Sequence, residues 1–283
     1  MMRQRQGMSE QKGYRRRQMR VWIKGAGDLA TGIACRLHRS GFQVMMTEIE
    51  VPTTVRRTVA FSPAVYEGEA VVEGIRAVRC ETLEAADEAV NKGLVAVLVD
   101  ETGETARGWN ADAVVDAIIA KRNTGTSLTD APVVIGVGPG FTAGVDCHCV
   151  VETKRGHNLG RCLYEGFAAP NTGVPGIIGG YGKERVVRAP EAGIFRGVRE
   201  IGDRVEAGET VGWVGDAPVK TEIAGILRGI LQDGVPVHAG MKAGDVDPRD
   251  VRDHCNSVSD KALAVAGGVL EGILNRRCAL ERK

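Results

Sequence analysis

The sequence lacks a dominant charge of either sign. Its 37 lysines and arginines are balanced by 36 aspartates and glutamates, which leaves a formal net charge of +1 over 283 residues. No overall field therefore favours nucleic acid or an anionic membrane. Basic residues are dense only in residues 1–19, and this segment offers no aromatic platform on which bases could stack. Nucleic acid is therefore not predicted as a partner.

Long apolar runs are also missing. No stretch approaches the roughly 18 apolar residues of a membrane span, so no membrane association is expected. Residues 1–19 contain no apolar core of the kind found in a secretory signal, and we predict a disordered basic leader there. A cytoplasmic location follows from these two absences.

The seven cysteines show no C-x-x-C spacing, and their number is odd. Reduced cytoplasmic thiols fit this pattern better than a disulfide framework. Cys147, His148 and Cys149 are consecutive, and in a strand the middle side chain points away from the other two. The three could not enclose one tetrahedral zinc ion, so no metal site is predicted.

A strand, a glycine-rich turn and a helix open the part of the chain that we expect to fold. Residues 20–24 predict a strand, and Gly25, Gly27 and Ala30 give G-x-G-x-x-A before a helix that reaches about residue 40. Such a turn can present free N–H groups to a phosphate. Glu48 ends the next strand, where an acidic group would meet a ribose hydroxyl. Asp28 would repel a pyrophosphate, so a ligand other than a dinucleotide, or an empty crevice, stays open.

Strands and helices then alternate up to residue 137. Helices are predicted over residues 83–92 and 111–121, and buried strands over 94–99 and 133–135. This alternation predicts a Rossmann-like, mostly parallel sheet over residues 20–185. Ligands in such sheets collect beyond the carboxyl ends of the strands.

A second glycine turn, at Gly138 and Gly140, precedes a dense group of titratable residues. In a strand, Asp146, His148 and Glu152 would share one face, and the thiols of Cys147 and Cys149 the other. We take these five as candidate catalytic residues for acid–base or thiolate chemistry. The candidate ligand-binding residues lie in the two glycine turns and around the group: Gly25, Gly27, Asp28, Glu48, Gly138, Gly140, Arg155 and His157. The alternatives are a polar strand with a solvated turn, and buried thiols that act as small apolar side chains.

An internal repeat characterises residues 186–250. Residues 193–208 and 225–240 both keep G-I-x-R-G, then G, then V-x-A-G. Two interlocked β-rich halves are predicted, which resembles the barrel-sandwich hybrid of biotinyl and lipoyl domains. Lys220 lacks the usual neighbours of a carrier lysine, so the module is interpreted as structural or as a docking surface.

Residues 251–283 then predict a C-terminal helix that Ser259 caps. The predicted fold class is α/β: a Rossmann-like sheet, a small barrel-sandwich-hybrid-like module and a final helix.

Three motifs carry a family resemblance: KGAGDLATGIACRL, GPGFTAGVDCHCVVETKRGHNLGR and SDKALAVAGGVLEGIL. With them, residues 20–275 resemble the YqeB family of selenium-dependent molybdenum hydroxylase systems, which is related to XdhC-type maturation factors. The resemblance implies a role in maturing or inserting a molybdopterin-type cofactor. It also implies a hydroxylase apoenzyme and a sulfur or selenium donor as partners. It supplies no established catalytic residue.

The leading hypothesis is therefore a factor that binds a nucleotide-bearing or phosphate-bearing ligand at the two glycine turns. Arg155, His148 and His157 would meet phosphate or oxo groups. One alternative is an enzyme that depends on NAD(P) or another nucleotide. The other is a scaffold that docks a hydroxylase through the repeat module. Homo-oligomerisation is left open.

Overall fold

A nine-stranded sheet forms the centre of the protein in the computed structural model, which describes residues 17–173 and 175–282. Most of the predicted basic leader, residues 1–16, lies outside the described residues. The strands of this first half are β1 (Arg20–Lys24), β2 (Gln43–Glu48), β3 (Glu69–Val72), β4 (Ile75–Cys80), β5 (Val95–Val99), β6 (Ala113–Asp116), β7 (Val133–Val137), β8 (Thr142–Ala143), β9 (Cys149–Val151), β10 (Cys162–Leu163) and β11 (Gly166–Phe167).

The strand order in the large sheet is β10-β9-β7-β6-β1-β2-β5-β4-β3. The pairs in the middle are parallel, but β3 pairs antiparallel with β4 at one edge and β10 pairs antiparallel with β9 at the other. β8 and β11 form a separate two-stranded antiparallel pair. The carboxyl ends of β1, β2, β5 and β6 consequently lie side by side.

Helices cover both faces of the sheet. The α-helices within residues 17–173 and 175–282 are α1 (Asp28–Arg39), α2 (Ala64–Glu67), α3 (Leu83–Asn91), α4 (Glu104–Arg107) and α5 (Asp260–Glu281). Val21 and Ile23 of β1 point to the core under α1 and α5, whereas Trp22 between them packs in the core on the side of α3. Because successive side chains of a buried strand point to opposite faces of the sheet, β1 contributes to the cores on both faces.

The C-terminal helix α5 returns to the first sheet. Its start is capped as predicted, because the Ser259 hydroxyl accepts a hydrogen bond from the Ala262 N–H at 3.2 Å. A Cβ atom on Gly32 of α1 would lie 2.8 Å from Ala262 Cβ, so the two helices approach closely at this glycine. α5 has 22 residues, yet no helix in the described part of the chain is long and apolar enough to cross a membrane.

The strands of the repeat module are β12 (Val186–Arg188), β13 (Gly193–Gly197), β14 (Arg204–Val205), β15 (Thr210–Val214), β16 (Ala217–Lys220), β17 (Gly225–Ile230), β18 (Pro236–Val237) and β19 (Lys242–Asp247). They form two four-stranded sheets, ordered β12-β19-β17-β14 and β16-β15-β13-β18. The first copy of the repeat gives β13 and β14, and the second gives β17 and β18. Strands pair between the copies, because β13 pairs with β18 and β14 pairs with β17. The two halves are therefore interlocked.

The fold class predicted from the sequence is wrong. The central sheet is a mixed nine-stranded sheet with an antiparallel strand at each edge, and the repeat supplies two further sheets. Residues 111–121, predicted as a helix, instead contain strand β6, because Ala113–Asp116 is a fully buried run between β1 and β7. No helix connects β6 to β7, or β7 to β9, in the described residues, so the regular alternation of a Rossmann-like fold is not present there.

Two neighbouring glycines of α5 allow a matched test of its packing. A Cβ on Gly268 would collide with the carbonyl oxygen of Gly160 and lie 2.9 Å from Val151 Cγ1, whereas a Cβ on Gly267 meets nothing within 4 Å. Gly268→Ala should lower the free energy of unfolding by about 1–3 kcal/mol, since it overpacks the site. Gly267→Ala should raise it by about 0.5–1 kcal/mol through helix propensity. Urea denaturation of both variants measures this, and equal effects would contradict the packing described.

Candidate functional site

A first cavity opens where β1, β2, β5 and β6 end. It encloses about 320 Å³, and the glycine turn after β1 forms one of its walls. Its lining residues come from four chain segments that each follow or end a parallel strand: Gly25, Gly27, Asp28, Leu29, Ala30, Thr47, Glu48, Ile49, Thr53, Thr54, Asp100, Glu101, Ala117, Ile118 and Ile119.

Three of the six N–H groups of the first glycine turn, residues 25–30, already have partners. Gly25 N donates to the Thr47 carbonyl at 2.8 Å, Ala26 N donates to Glu48 Oε2 at 2.8 Å, and Leu29 N donates to Asp28 Oδ1 at 3.0 Å. The N–H groups of Gly27, Asp28 and Ala30 remain for a ligand at the start of α1. The turn can therefore offer fewer donors than an open helix N-terminus.

Glu48 holds this turn in place. Besides the bond from Ala26, its Oε1 accepts the N–H of Ile49 at 2.9 Å. Burial raises the pKa of Glu48, and the two backbone hydrogen bonds oppose that rise. Contact between Glu48 and a ribose stays a prediction, and it would have to use lone pairs that these two bonds leave free.

Carboxylates dominate the first cavity. Asp28, Glu48, Asp100 and Glu101 all line it, and none of its lining residues is a lysine or an arginine. Asp28 forms an ion pair with Arg56, whose Nη1 lies 3.4 Å from its Oδ2. The cavity is thus suited to hydrogen-bond donors and is unfavourable for a phosphate.

A single loop, residues 117–122, packs against both glycine turns. A Cβ on Gly25 would lie 3.2 Å from the Ala117 carbonyl oxygen, and a Cβ on Gly140 would lie 2.5 Å from Arg122 N. Both glycines also have positive φ, +92° and +114°. Any other residue at Gly25 or Gly140 would therefore meet steric and backbone strain together.

The same loop is itself strained. Ile119 has φ 61° and Lys121 has φ 64°, and left-handed backbone is rare for a β-branched residue. Such strain persists where surrounding structure enforces it, commonly at functional sites. Buried Asp116 anchors the loop, since its carboxylate accepts the Ile118 N–H at 3.2 Å and the Thr126 hydroxyl at 2.7 Å. Burial raises the pKa of Asp116.

A second cavity, of about 520 Å³, lies on the other side of Ile119, which lines both. Pro139 of the second glycine turn borders it, but the N–H of Gly138 is already donated to the Val151 carbonyl at 2.8 Å. Every charged residue in its lining is basic: Lys121, Lys154, Arg155, Lys242 and Lys261. The two cavities therefore have opposite charge.

Arg155 and Glu152, two residues singled out from the sequence, shape this second cavity. Arg155 makes a bidentate ion pair with Asp260 at the start of α5, at 2.6 and 2.9 Å, and this pair lowers the pKa of Asp260 to about 2. Glu152 is buried, and its oxygens accept the N–H groups of Lys154 at 2.6 Å and Ala169 at 2.7 Å. Glu152 thereby fixes two lining segments and does not face the cavity as a free carboxylate.

The other residues of the 146–157 group do not gather at one opening. The strand there is only Cys149–Val151, because Asp146 lies in the turn before it and accepts the Thr142 N–H at 2.7 Å. His148 Nδ1 accepts the Val134 N–H at 3.0 Å and, with Cys149, lines a third cavity of about 380 Å³ beside α5. His157 is exposed. The predicted sharing of one strand face by Asp146, His148 and Glu152 is wrong, and their catalytic roles stay predictions.

The two thiols are held in their neutral form. Cys147 is fully buried, and burial raises its pKa to about 11. The pKa of Cys149 is also raised, by its contact with Cys162 and by burial. The pKa of His148 is lowered by burial and by the charge of Arg276. In the described residues, no group of three or more His, Cys, Asp or Glu side chains could hold a metal ion.

Sequence reasoning missed most cations of the second cavity. Lys121 was assigned to a helix, and Lys242 and Lys261 lie about a hundred residues from Lys154 and Arg155 in the chain. Their convergence leaves no local pattern, since it depends on β19 and α5 returning to the first sheet. Of these five cations, only Arg155 is predicted from the sequence as a candidate ligand-binding residue.

A buried ion network connects the repeat module to the first turn. Asp245 accepts Arg185 at 3.1 Å and Arg228 at 2.6 Å, while Asp247 accepts Arg249 at 2.6 Å. Arg56, which reaches Asp28, also donates to the His254 carbonyl at 3.0 Å. Burial would raise the pKa of Asp247, but its bonds to Arg249 and the charge of Arg228 hold that pKa well below the ordinary range.

Comparison with known sequences supports the family resemblance. The chain is 48% identical over 254 residues, 90% of its length, to the uncharacterized protein YqeB of Escherichia coli K12. The aligned region is 47% of that protein, so the chain spans about half the length of this relative. This identity supports assignment of the chain to the YqeB family. The relationship to XdhC-type factors and to a selenium-dependent hydroxylase system stays a prediction. No model of a known protein family matches the sequence.

Solved structures give only distant likenesses. An aspartoacylase family protein from Mesorhizobium loti has 10% identity and a TM-score of 0.25, with 81% of this chain and 85% of that chain covered. A succinylglutamate desuccinylase/aspartoacylase from Rhodobacter sphaeroides has 14% identity and a TM-score of 0.23, with 80% and 86% covered. TM-scores this low do not show a shared fold.

The buried network predicts a large effect at Asp247 and a small one at Asp250. Asp247→Asn should lower the free energy of unfolding by about 3 kcal/mol at pH 7, because Arg228 and Arg249 lose a fully buried anion. The exposed pair of Asp250 with Arg204 gives the control, and Asp250→Asn should cost less than about 1 kcal/mol.

The difference in the free energy of unfolding between the wild type and Asp247→Asn should also depend on pH. Because the folded-state pKa of Asp247 is depressed, its stabilising contribution is complete above the ordinary carboxyl pKa of 3.8 and is lost as the pH falls below it. The gap between wild type and Asp247→Asn should thus narrow from pH 7 to pH 3. Urea unfolding at both pH values measures it, and a variant as stable as Asp250→Asn at pH 7 would refute the network's role.

Proposed function

We propose that this protein binds a nucleotide-bearing or phosphate-bearing ligand at its glycine turns and acts in the maturation or insertion of a molybdenum cofactor. The observation that carries the ligand proposal is the pairing of two cavities of opposite charge across Ile119, beside both turns. A ligand with chemically different ends, such as a pterin dinucleotide, fits such a pair. A single apolar substrate does not.

The molybdenum part of the proposal comes from the family resemblance. The sequence identity supports the YqeB family, and the resemblance to proteins of selenium-dependent molybdenum hydroxylase systems supplies the pathway. In this proposal the ligand is a molybdopterin-type cofactor, and the partners are a hydroxylase apoenzyme and a sulfur or selenium donor in the cytoplasm. Because the chain spans about half of its relative, the activity of a longer protein would include contributions from outside this region.

The cavity chemistry favours binding and positioning over acid–base catalysis. Glu152 is occupied by two backbone donors, and Cys147 is buried with a raised pKa. Neither is poised as a free base or as a thiolate nucleophile. The protein in this proposal holds the cofactor and passes it on, while sulfur or selenium chemistry belongs to the donor.

A substitution at Gly27 tests the ligand proposal. Its φ is −68°, so side chains are tolerated by the backbone, and its Cβ would point toward Thr54 Oγ1 at 3.6 Å, across the first cavity. Gly27→Leu should fill this space and weaken binding of molybdopterin cytosine dinucleotide by at least about tenfold, which is about 1.4 kcal/mol. Isothermal titration calorimetry measures the affinity, with circular dichroism to check folding.

Gly267→Leu is the matched control, because that glycine has open space around its Cβ and lies on α5 outside the first cavity. Its affinity should equal that of the wild type. No binding of the dinucleotide to the wild type at about 100 μM would refute the proposal. NAD(P) is the alternative ligand, and enhanced NAD(P)H fluorescence without dinucleotide binding would support the nucleotide-dependent enzyme instead.

A further inference from the structure

The second cavity concentrates positive charge. Four lysines line it, Lys121, Lys154, Lys242 and Lys261, and none of them has a carboxylate within 4.0 Å among the described residues. The more distant charges of Asp28, Glu152 and Asp260 favour the charged form of Lys261. Arg155 differs from the lysines, since it forms an ion pair with Asp260.

Four ammonium groups around one cavity repel each other, and they favour an anion that carries more than one charge. Burial lowers the pKa of Lys261, with the charge of Asp28 opposing that change. A bound polyanion would restore the charged form of this lysine and would offset the repulsion among the others. Phosphate oxygens are suited to several lysines at once.

The first cavity cannot take that anion. Its lining includes four carboxylates and no cation, and the described residues supply partners for three of the six N–H groups of the first glycine turn. A pyrophosphate placed on this turn would face Asp28 and Glu48 directly. The usual position of a dinucleotide phosphate at the first turn of an α/β sheet is therefore unfavourable here.

We propose that the second cavity is the pyrophosphate subsite of a nucleoside-diphosphate-type ligand, whose hydrogen-bond-donating end lies across Ile119 in the first cavity. This inference rests on the proposed function and fixes the orientation of the ligand. Hydroxyl, amino and ring N–H groups face the carboxylates of the first cavity. The two phosphates face the lysines of the loop after β6, of β19 and of α5.

Lys121 and Lys242 provide the test, because both are exposed, neither has an ion-pair partner in the part of the chain that the structure describes, and they come from distant parts of the chain. The double variant Lys121→Ala/Lys242→Ala removes two charges from the second cavity. Lys92→Ala/Lys220→Ala removes two exposed lysines that do not line it and is the matched control. Calorimetric titrations with inorganic pyrophosphate, orthophosphate, CDP and cytidine compare these variants with the wild type.

In the wild type, pyrophosphate should bind at least about tenfold tighter than orthophosphate, and the Lys121/Lys242 double variant should lose at least about tenfold in affinity for both pyrophosphate and CDP. Cytidine binding should be unchanged by either double substitution. The dependence of pyrophosphate affinity on salt should also be weaker in the Lys121/Lys242 variant than in the control.

Unchanged pyrophosphate and CDP affinity in the Lys121/Lys242 variant overturns the inference, as does an equal loss in the control, which would indicate unspecific attraction. These results leave the proposed function intact if molybdopterin cytosine dinucleotide still binds and Gly27→Leu still weakens it. Two results together support both subsites. Pyrophosphate binding is lost only in the Lys121/Lys242 variant, and Gly27→Leu abolishes cytidine binding.

Discussion

The close approach of loop 117–122 to both glycine turns is the constraint on which the site depends. Only glycine at Gly25 and Gly140 leaves room for the loop backbone, and the loop in turn holds Ile119 in a left-handed conformation. Ile119 is thereby placed as the wall between the two cavities. The buried hydrogen bonds of Asp116 to Ile118 and Thr126 keep this arrangement in place. These two glycines therefore have a role in packing that does not depend on any ligand.

The division of charge between the cavities follows from where their linings originate. The first is built from the ends of parallel strands, where Glu48 and Asp100 use their carboxylates to hold backbone N–H groups. The second is built where β19 and α5 reach the sheet and bring Lys242 and Lys261 to Lys121. Because carboxylates line the first cavity and lysines line the second, the proposed ligand would be oriented by electrostatics before any specific contact forms.

The repeat module participates in the site as more than an appended domain. β19 contributes Lys242 to the second cavity, and its Asp245 and Asp247 pair with three arginines, Arg185, Arg228 and Arg249. Arg56 continues that polar connection to Asp28 at the first turn. A buried network of this kind stabilises one relative arrangement of its members, since breaking any pair leaves a charge without a partner.

Local features were determined by the sequence alone. The strand, glycine turn and helix of residues 20–39, the buried strand β5 and the Ser259 cap of α5 each depend on neighbouring residues, so periodicity and capping rules were sufficient. The sequence repeat also predicts two interlocked β-rich halves, because both copies keep the same glycine spacing, and strands of the two copies do pair with each other.

Tertiary structure decided the rest. An apolar run such as 113–116 fits a helix or a buried strand equally well, and its position between β1 and β7 selected the strand. The carboxylate of Glu152 accepts hydrogen bonds from the N–H groups of Lys154 and Ala169. No spacing rule in the sequence predicts these two contacts. The convergence of Lys121, Lys154, Lys242 and Lys261 needed β19 and α5 to return to the sheet, and contacts between residues so distant in sequence leave no periodic trace in it.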